Sequence, residues 1–113
     1  MFDLSQLRCF VTVAEELHFG RAAVRLNMTQ PPLSRQIQVL EHIVEAPLLD
    51  RTSRSVRLTP AGRSFLPEAR RILKLAEIAT LEHLESLLAS QAQGMFLLAQ
   101  EADREARSGY QGL

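Results

Sequence analysis

The chain has 113 residues, 46% of them hydrophobic, and its 13 basic residues balance 13 acidic ones to a formal net charge of zero at pH 7. This length suits one small domain with an appendage and hardly allows two domains. The single cysteine, Cys9, excludes an internal disulfide framework and fits a reducing compartment. No apolar run reaches membrane-spanning length and no signal-peptide pattern is present, so we expect a cytoplasmic protein.

The neutral total combines two halves of opposite charge. Residues 1–77 contain eleven lysines and arginines and eight acids, a net charge of +3. Residues 78–113 contain two arginines and five acids, a net charge of −3. A basic front half favours a nucleic-acid partner, whereas the acidic tail favours a protein partner.

The front half begins with helical periodicity. Apolar residues at three- and four-residue spacing predict a first helix over about residues 4–17. Two further short helices follow, joined at Asn27, a residue type that tolerates left-handed backbone. The small side chains of Ala22 and Ala23 allow these two helices to approach closely, and Thr29 is a natural N-cap for the second of them. This spacing predicts a helix-turn-helix whose second helix, the recognition helix, enters the DNA major groove.

The outward face of the recognition helix holds the candidate DNA contacts. Arg35 is the foremost because a guanidinium binds phosphate and guanine edges. Gln30 is placed to reach an adenine edge, and Pro32 to touch a thymine methyl group. The alternative is an ordinary solvated helix face. The full predicted set on this helix is Gln30, Pro31, Pro32, Ser34, Arg35 and Gln38.

Over residues 48–59 the apolar residues no longer recur at helical spacing, and this change predicts a β-hairpin, or wing. Two short β-prone runs flank the polar segment around Arg54. We expect Arg54 at or near the tip of the wing, as a minor-groove contact or as an unpaired turn arginine. Arg51 has two interpretations, a phosphate contact or an ion pair with an acid of the fold.

A long helix is predicted after the wing. Thr59 and Pro60 provide an N-cap and a first-position proline. We expect one helix from there to at least about residue 90, bent near Pro67 and broken or ended at Gly94. Its apolar stripe would leave a large exposed patch on a lone surface helix, so dimerisation is the favoured interpretation. The predicted dimerisation residues are Phe65, Ala69, Ile72, Leu73, Ala76, Leu84 and Leu88.

Several motifs follow one another in order along residues 1–77: Leu7-Arg8-Cys9-Phe10-Val11, Phe19 through Leu26, Thr29-Gln30-Pro31-Pro32-Leu33-Ser34-Arg35-Gln36-Ile37, Pro47-Leu48-Leu49-Asp50-Arg51 and Leu58-Thr59-Pro60-Ala61-Gly62. Together they resemble the N-terminal DNA-binding region of a LysR-type transcriptional regulator. The resemblance implies a winged helix-turn-helix and a long linker helix that pairs antiparallel with its twin in a dimer. It also implies recognition of interrupted palindromic DNA near promoters.

The resemblance has two departures. It fades from about Ile78, and the α/β effector-binding domain of such regulators does not follow, so we expect no small-molecule effector site in this chain. Glu45 stands where the family pattern usually has glycine. If that position requires positive φ, a residue with a Cβ costs on the order of 1 kcal/mol there.

We therefore predict a mainly α fold, a winged helix-turn-helix of three helices and a β-hairpin followed by a long linker and dimerisation helix. The predicted division is 1–59 for the DNA-binding domain, 60–92 for the linker helix and 93–113 for a C-terminal helical extension or tail. The predicted function is a bacterial, sequence-specific transcriptional regulator that binds interrupted palindromic promoter DNA as a dimer. The alternative is a DNA-independent module that heterodimerises with a full-length regulator through the linker helix.

The sequence offers no site for catalysis. Its three histidines are too scattered for a zinc site, and no paired carboxylates, nucleophilic triad or phosphate-cradling glycine loop occurs. We expect no enzyme activity, no cofactor, no metal and no membrane partner. Cys9 is expected to contribute packing rather than redox chemistry. The expected partners are double-stranded DNA and a second copy of the chain.

Overall fold

The computed structural model describes residues 2–52 and 55–111. The elements, in chain order, are α1 (Leu4–Glu16), α2 (Phe19–Arg25), α3 (Gln30–Val44), β1 (Leu49–Arg51), β2 (Val56–Leu58), α4 (Pro60–Ala76) and α5 (Leu81–Gln111). Helices α1 to α3, the β1–β2 hairpin and α4 form a winged helix-turn-helix, as the sequence predicts. We call this part, residues 2–76, the winged domain.

Local signals begin and end the helices of the winged domain. Asp3 and Gln6 form a capping box at the start of α1, in which each side chain accepts from the other's backbone N–H at 2.9 Å. Helix α3 ends at Val44 and is followed by the C-cap residue Glu45, whose φ of 57° is left-handed. Of the two possibilities for this position, the structure therefore shows the positive φ that carries a steric cost for a residue with a Cβ.

The core of the winged domain is built around one aromatic side chain of α4. Phe65 is fully buried and meets the rings of Phe2 and Phe10 edge-on, each at 5.7 Å between centroids. This T-shaped arrangement suits the charge distribution of aromatic rings. Leu7 of α1 and Leu33 of α3 are fully buried in the same core. Helix α4 is therefore part of the domain core as well as the segment that leaves it.

The wing is a two-stranded antiparallel hairpin. Leu49 pairs with Leu58, and Arg51 pairs with Val56. A side chain of α3 fixes where the wing starts, because the Glu41 carboxylate accepts from the backbone N–H groups of Leu48 and Leu49 at 2.7 and 3.1 Å. The predicted tip residue, Arg54, lies outside the described residues.

The prediction of one helix from Pro60 to about residue 90 is wrong. Helix α4 ends at Ala76, and α5 begins at Leu81 and runs back along α4. This reversal buries Ala92, Met95 and Ala99 of α5 within the chain. In the sequence, the helical stripe of apolar residues before Thr80 continues after it with a shifted phase, and the turn lies at this shift.

One further detail of the long-helix prediction differs, because Gly94 lies inside α5 and does not end it. Pro67 lies inside α4, as the sequence predicts. No described helix combines the length and the apolar character needed to cross a bilayer.

Candidate nucleic-acid interface

The turn between α2 and α3 sets the position of the recognition helix α3. Asn27 has left-handed backbone, with φ of 55°, and its N–H donates to the carbonyl of Val24 at 3.1 Å. Ala22 and Ala23 of α2 are buried, as the close approach of α2 and α3 requires. The turn residue and the small pair thus have the geometry that the sequence predicts for a helix-turn-helix.

Helix α3 has a buried face and an open face. Leu33, Ile37 and Leu40 recur at three- and four-residue spacing and are buried in the core. The helix begins with Gln30 and two prolines after the N-cap residue Thr29, whose side chain makes no cap hydrogen bond. The predicted contact residues share the other face: Pro32 and Ser34 are half-buried, and Gln30, Pro31, Arg35 and Gln38 are exposed.

Arg35 is free of partners within the described part of the chain, where it makes neither an ion pair nor a hydrogen bond. Several arginines away from this face are paired. Arg25 lies 3.0 Å from Glu15 and 3.2 Å from Glu16, and these hydrogen bonds raise the pKa of Arg25 above its ordinary value. Arg70 also reaches Glu15, at 3.4 Å. The charges of Arg25 and Arg70 are therefore balanced by acids, whereas the charge of Arg35 is left available on α3.

Arg51 occupies a defined place beside the recognition helix. Its guanidinium carbon lies 3.9 Å from the centre of the Phe19 ring, and its Nη2 lies 3.4 Å from the hydroxyl oxygen of Ser34. It makes no ion pair with an acid among residues 2–52 and 55–111, so that interpretation is not what the structure shows. A cation over an aromatic face is attracted by the ring and loses little of its charge.

Phe19 is a residue of this candidate interface that the sequence does not single out. It belongs to a longer motif there, yet its ring is the surface on which Arg51 rests. The pairing joins the start of α2 to the end of β1, which are 32 positions apart in the chain. No local sequence pattern reports a contact at that separation.

These groups border an open cleft between α2, the start of α3 and the wing. His18 and Gly20 line one side, Gln30 another, and Arg51 and Val56 the wing side. The cleft presents the amide of Gln30 and the guanidinium of Arg51, a combination that suits a phosphodiester backbone or base edges. None of the described residues that line it is acidic.

The predicted dimerisation residues fall into two groups. Phe65, Ala69 and Ile72 fill the chain's own core and are fully buried there, so they are core residues and not a surface for a partner. The other four are half-buried along the α4–α5 hairpin: Leu73, Ala76, Leu84 and Leu88.

Two further observations bear on other chemistry. Among the described residues, no group of three or more His, Cys, Asp or Glu side chains is arranged to hold a metal ion. Cys9 is buried, and burial together with the nearby charge of Asp3 raises the pKa of its thiol. A buried thiol kept protonated in this way is a packing residue.

A helix-turn-helix with an open second helix and an adjacent wing defines the winged-helix class of DNA-binding domains. Residues 4–63 match the family described as bacterial regulatory helix-turn-helix protein, lysR family. That match covers more than half of the chain, and the chain belongs to the LysR family.

Known relatives agree with this assignment. The uncharacterized HTH-type transcriptional regulator YnfL of Escherichia coli (strain K12) is 61% identical over 77 residues, which are 68% of this chain and 26% of that protein. The HTH-type transcriptional regulator AlsR of Bacillus subtilis (strain 168) is 49% identical over 96 residues, which are 85% of this chain and 31% of that protein. The chain thus spans about a quarter to a third of the length of these curated relatives, which are transcriptional regulators and not enzymes.

A solved structure extends the likeness to the fold. The crystal structure of a CbnR_DBD–DNA complex has a TM-score of 0.66 and 41% sequence identity, and the match covers 82% of this chain and 99% of that one. The fold of this chain is therefore similar to that of a LysR-family protein bound to DNA.

Proposed function

We propose that the winged domain binds duplex DNA in a sequence-specific manner and that the chain acts in transcriptional regulation in the bacterial cytoplasm, at the nucleoid. The observation that carries the proposal is the charge arrangement on α3. Arg35 is exposed and unpaired, whereas Arg25 is held by acids on the other side of the domain. An exposed guanidinium on the open face of a recognition helix is suited to guanine edges in the major groove.

The remaining contacts are assigned around Arg35. Gln30 and Gln38 lie on the same open face and are assigned to base edges, and Ser34 to a phosphate. Arg51, resting on Phe19, is assigned to the DNA backbone beside the recognition helix. Pro31 and Pro32 shape the first turn and supply apolar contact surface. Arg54 is proposed as the minor-groove contact of the wing on sequence grounds alone.

We also propose a homodimer through the α4–α5 region. Two copies related by a two-fold axis present two recognition helices, and such a protein reads an interrupted palindrome. The half-buried leucines Leu73, Leu84 and Leu88 support this proposal because they offer apolar surface outside the core. The competing function is a module that pairs with a full-length regulator without touching DNA, and the acidic segment after residue 77 supports it.

Selection of bound duplexes from a random DNA pool, at one fixed salt concentration, tests the proposal. Salt is held constant because phosphate contacts make affinity strongly salt-dependent. We expect enrichment of an interrupted palindrome. If the pool stays random although circular dichroism shows that the chain is folded, the proposal of DNA binding is wrong. The module that pairs with a full-length regulator is then the favoured function.

A matched pair of arginine variants then assigns the reading face. Arg35→Ala should weaken binding to the selected site by about 10- to 100-fold, corresponding to about 1–3 kcal/mol for a base contact. Arg21→Ala removes another exposed arginine, one that belongs to α2 and is paired with Glu16 of α1 at 3.3 Å. It should leave affinity within about twofold, since surface substitutions away from a site have small effects. Equal losses in the two variants would mean that only overall charge matters.

A further inference from the structure

The C-terminal end of the recognition helix is held by a side chain of α5. The amide nitrogen of Gln100 donates to the carbonyl oxygens of Val44 and Glu45, each at 2.6 Å. This amide has two protons, one for each carbonyl. The last carbonyls of a helix have no partner within the helix, so each needs a donor from elsewhere. The bond to Val44 is partly buried, so removal of its donor leaves a carbonyl with restricted access to water.

The part of α5 that carries Gln100 is itself packed in place. Met95 and Ala99 of α5 are buried. Phe96 of α5 and Ile43 of α3 are half-buried side chains that pack against the core and line the same small cleft. Gln100 is therefore presented to α3 by a fixed surface, and its two bonds join that surface to the recognition helix.

The same end of α3 leads directly into the wing. The connection between α3 and β1 is short, and several of its carbonyl groups accept hydrogen bonds from other elements. Gln100 holds the carbonyl of Glu45, and the hydroxyl of Thr59 donates to the carbonyl of Pro47. The N–H of Thr59 donates to the carbonyl of Leu48 at 3.1 Å. A change at Gln100 therefore reaches both α3 and the start of the wing, two elements that border the open cleft.

The bonds of Gln100 bear on the tilt of α3. Apolar packing of the buried face is non-directional, whereas two hydrogen bonds from one planar amide have preferred directions. Arg35 precedes Val44 by nine residues, which is about 14 Å along a helix that rises 1.5 Å per residue. A displacement at the end of α3 is therefore transmitted to the open face. Recognition of base edges requires side chains that are held to within about 0.5 Å.

We propose that Gln100 is a positioning residue for sequence recognition. Its amide fixes the C-terminal end of α3, so that the open face and the wing keep the orientation that discriminates one DNA site from another. Gln100 acts through α3 and not by contact with DNA. It lies in α5, after the residues that match the family, 4–63. The proposal rests on the DNA-binding part of the proposed function and needs no dimer.

The ratio of two affinities, for the selected site and for an unrelated duplex at the same salt concentration, tests the proposal. A change in net charge or in the folded fraction alters both affinities alike, whereas a misplaced α3 lowers chiefly the affinity for the selected site. Gln100→Ala should lower the ratio at least about threefold and Gln100→Glu at least about tenfold, within the range for residues that contact neither partner. Glutamate has nearly the same shape, but it places a carboxylate against two carbonyl oxygens at the negative end of a helix.

A matched control and a rescue separate positioning from charge. Gln91→Glu makes the same change on the same helix, but Gln91 accepts from Arg71 of α4, and a carboxylate keeps that bond. It should leave the ratio within about twofold. Gln100→Lys should also keep the ratio within about twofold, because an ammonium group donates to the last carbonyls of a helix. Equal losses with Gln91→Glu and Gln100→Glu, or no loss with Gln100→Glu, would overturn the proposal.

A measurement on the DNA-free chain distinguishes failure of this proposal from failure of DNA binding. The carbonyl carbon NMR shifts of Val44 and Glu45 report whether these groups accept hydrogen bonds. Both should change in Gln100→Ala and stay unchanged in Gln91→Glu. Unchanged shifts in Gln100→Ala would overturn the positioning role whatever the DNA result. If the shifts change but the unsubstituted chain prefers neither duplex, the proposed DNA function is wrong and the role of Gln100 is only structural.

Discussion

The winged domain and helix α5 are both largely helical, yet different kinds of contact hold them in place. In the winged domain, Phe65 sits between two other rings, and the carboxylate of Glu41 fixes the start of the wing. Helix α5 is held by a stripe of small or flexible side chains, of which Ala92 and Ala99 are buried. Interlocking aromatic contacts and local caps allow one arrangement, whereas an amphipathic stripe fits either its own chain or another copy.

One glycine of α4 and one of α5 show the same contrast at single positions. A Cβ on Gly62 of α4 would lie 2.1 Å from the carbonyl oxygen of Leu48. A Cβ on Gly94 of α5 would meet nothing within 4 Å. The first glycine is needed for close packing of α4 against the start of the wing. The second has no packing role within the chain.

Gly62→Ala should produce the largest change in stability. The added methyl group meets backbone, which cannot rotate away, and the same carbonyl of Leu48 accepts from the N–H of Thr59 at 3.1 Å. We expect a loss of about 2–3 kcal/mol in the free energy of unfolding, the upper range for overpacking. Urea denaturation followed by circular dichroism measures it. A loss no larger than that of an exposed helix substitution would show that α4 shifts freely from the wing.

Glu45→Gly should stabilise the winged domain. Glu45 has φ of 57° and an exposed side chain, and glycine adopts this backbone without the steric cost of a Cβ. We expect a gain of about 1 kcal/mol in the free energy of unfolding. Glu45→Ala is the matched control, because alanine removes the charge but keeps the Cβ. A gain of equal size with alanine would assign the effect to charge and not to backbone conformation.

The sequence predicts those parts of the structure that depend on local signals. The left-handed turn at Asn27 and the close packing of Gly62 follow from residue types that such positions require. The spacing of apolar residues along α3 predicts which face of this helix is buried and which is open. The fold class and the open face of the candidate site were therefore predictable from single elements and their order.

Contacts between distant positions were not predictable in the same way. The stack of Arg51 on Phe19 and the bonds from Glu41 to the wing join residues whose proximity depends on the completed fold. The turn before Leu81 was missed because periodicity identifies an apolar face but not what covers it. Periodicity alone predicts the same stripe for a hairpin and for a helix that pairs with another copy.

Gly94→Ala should produce the smallest change, in the opposite direction to Gly62→Ala. Glycine inside a helix costs about 0.8–1 kcal/mol relative to alanine when no packing favours it. The open space around Gly94 predicts a gain approaching that value in urea denaturation. The gain belongs to α5 alone, so hydrogen exchange should slow in α5 and stay unchanged in α1 to α3. A loss of stability would instead show that a surface of α5 that is open in the single chain is packed in solution.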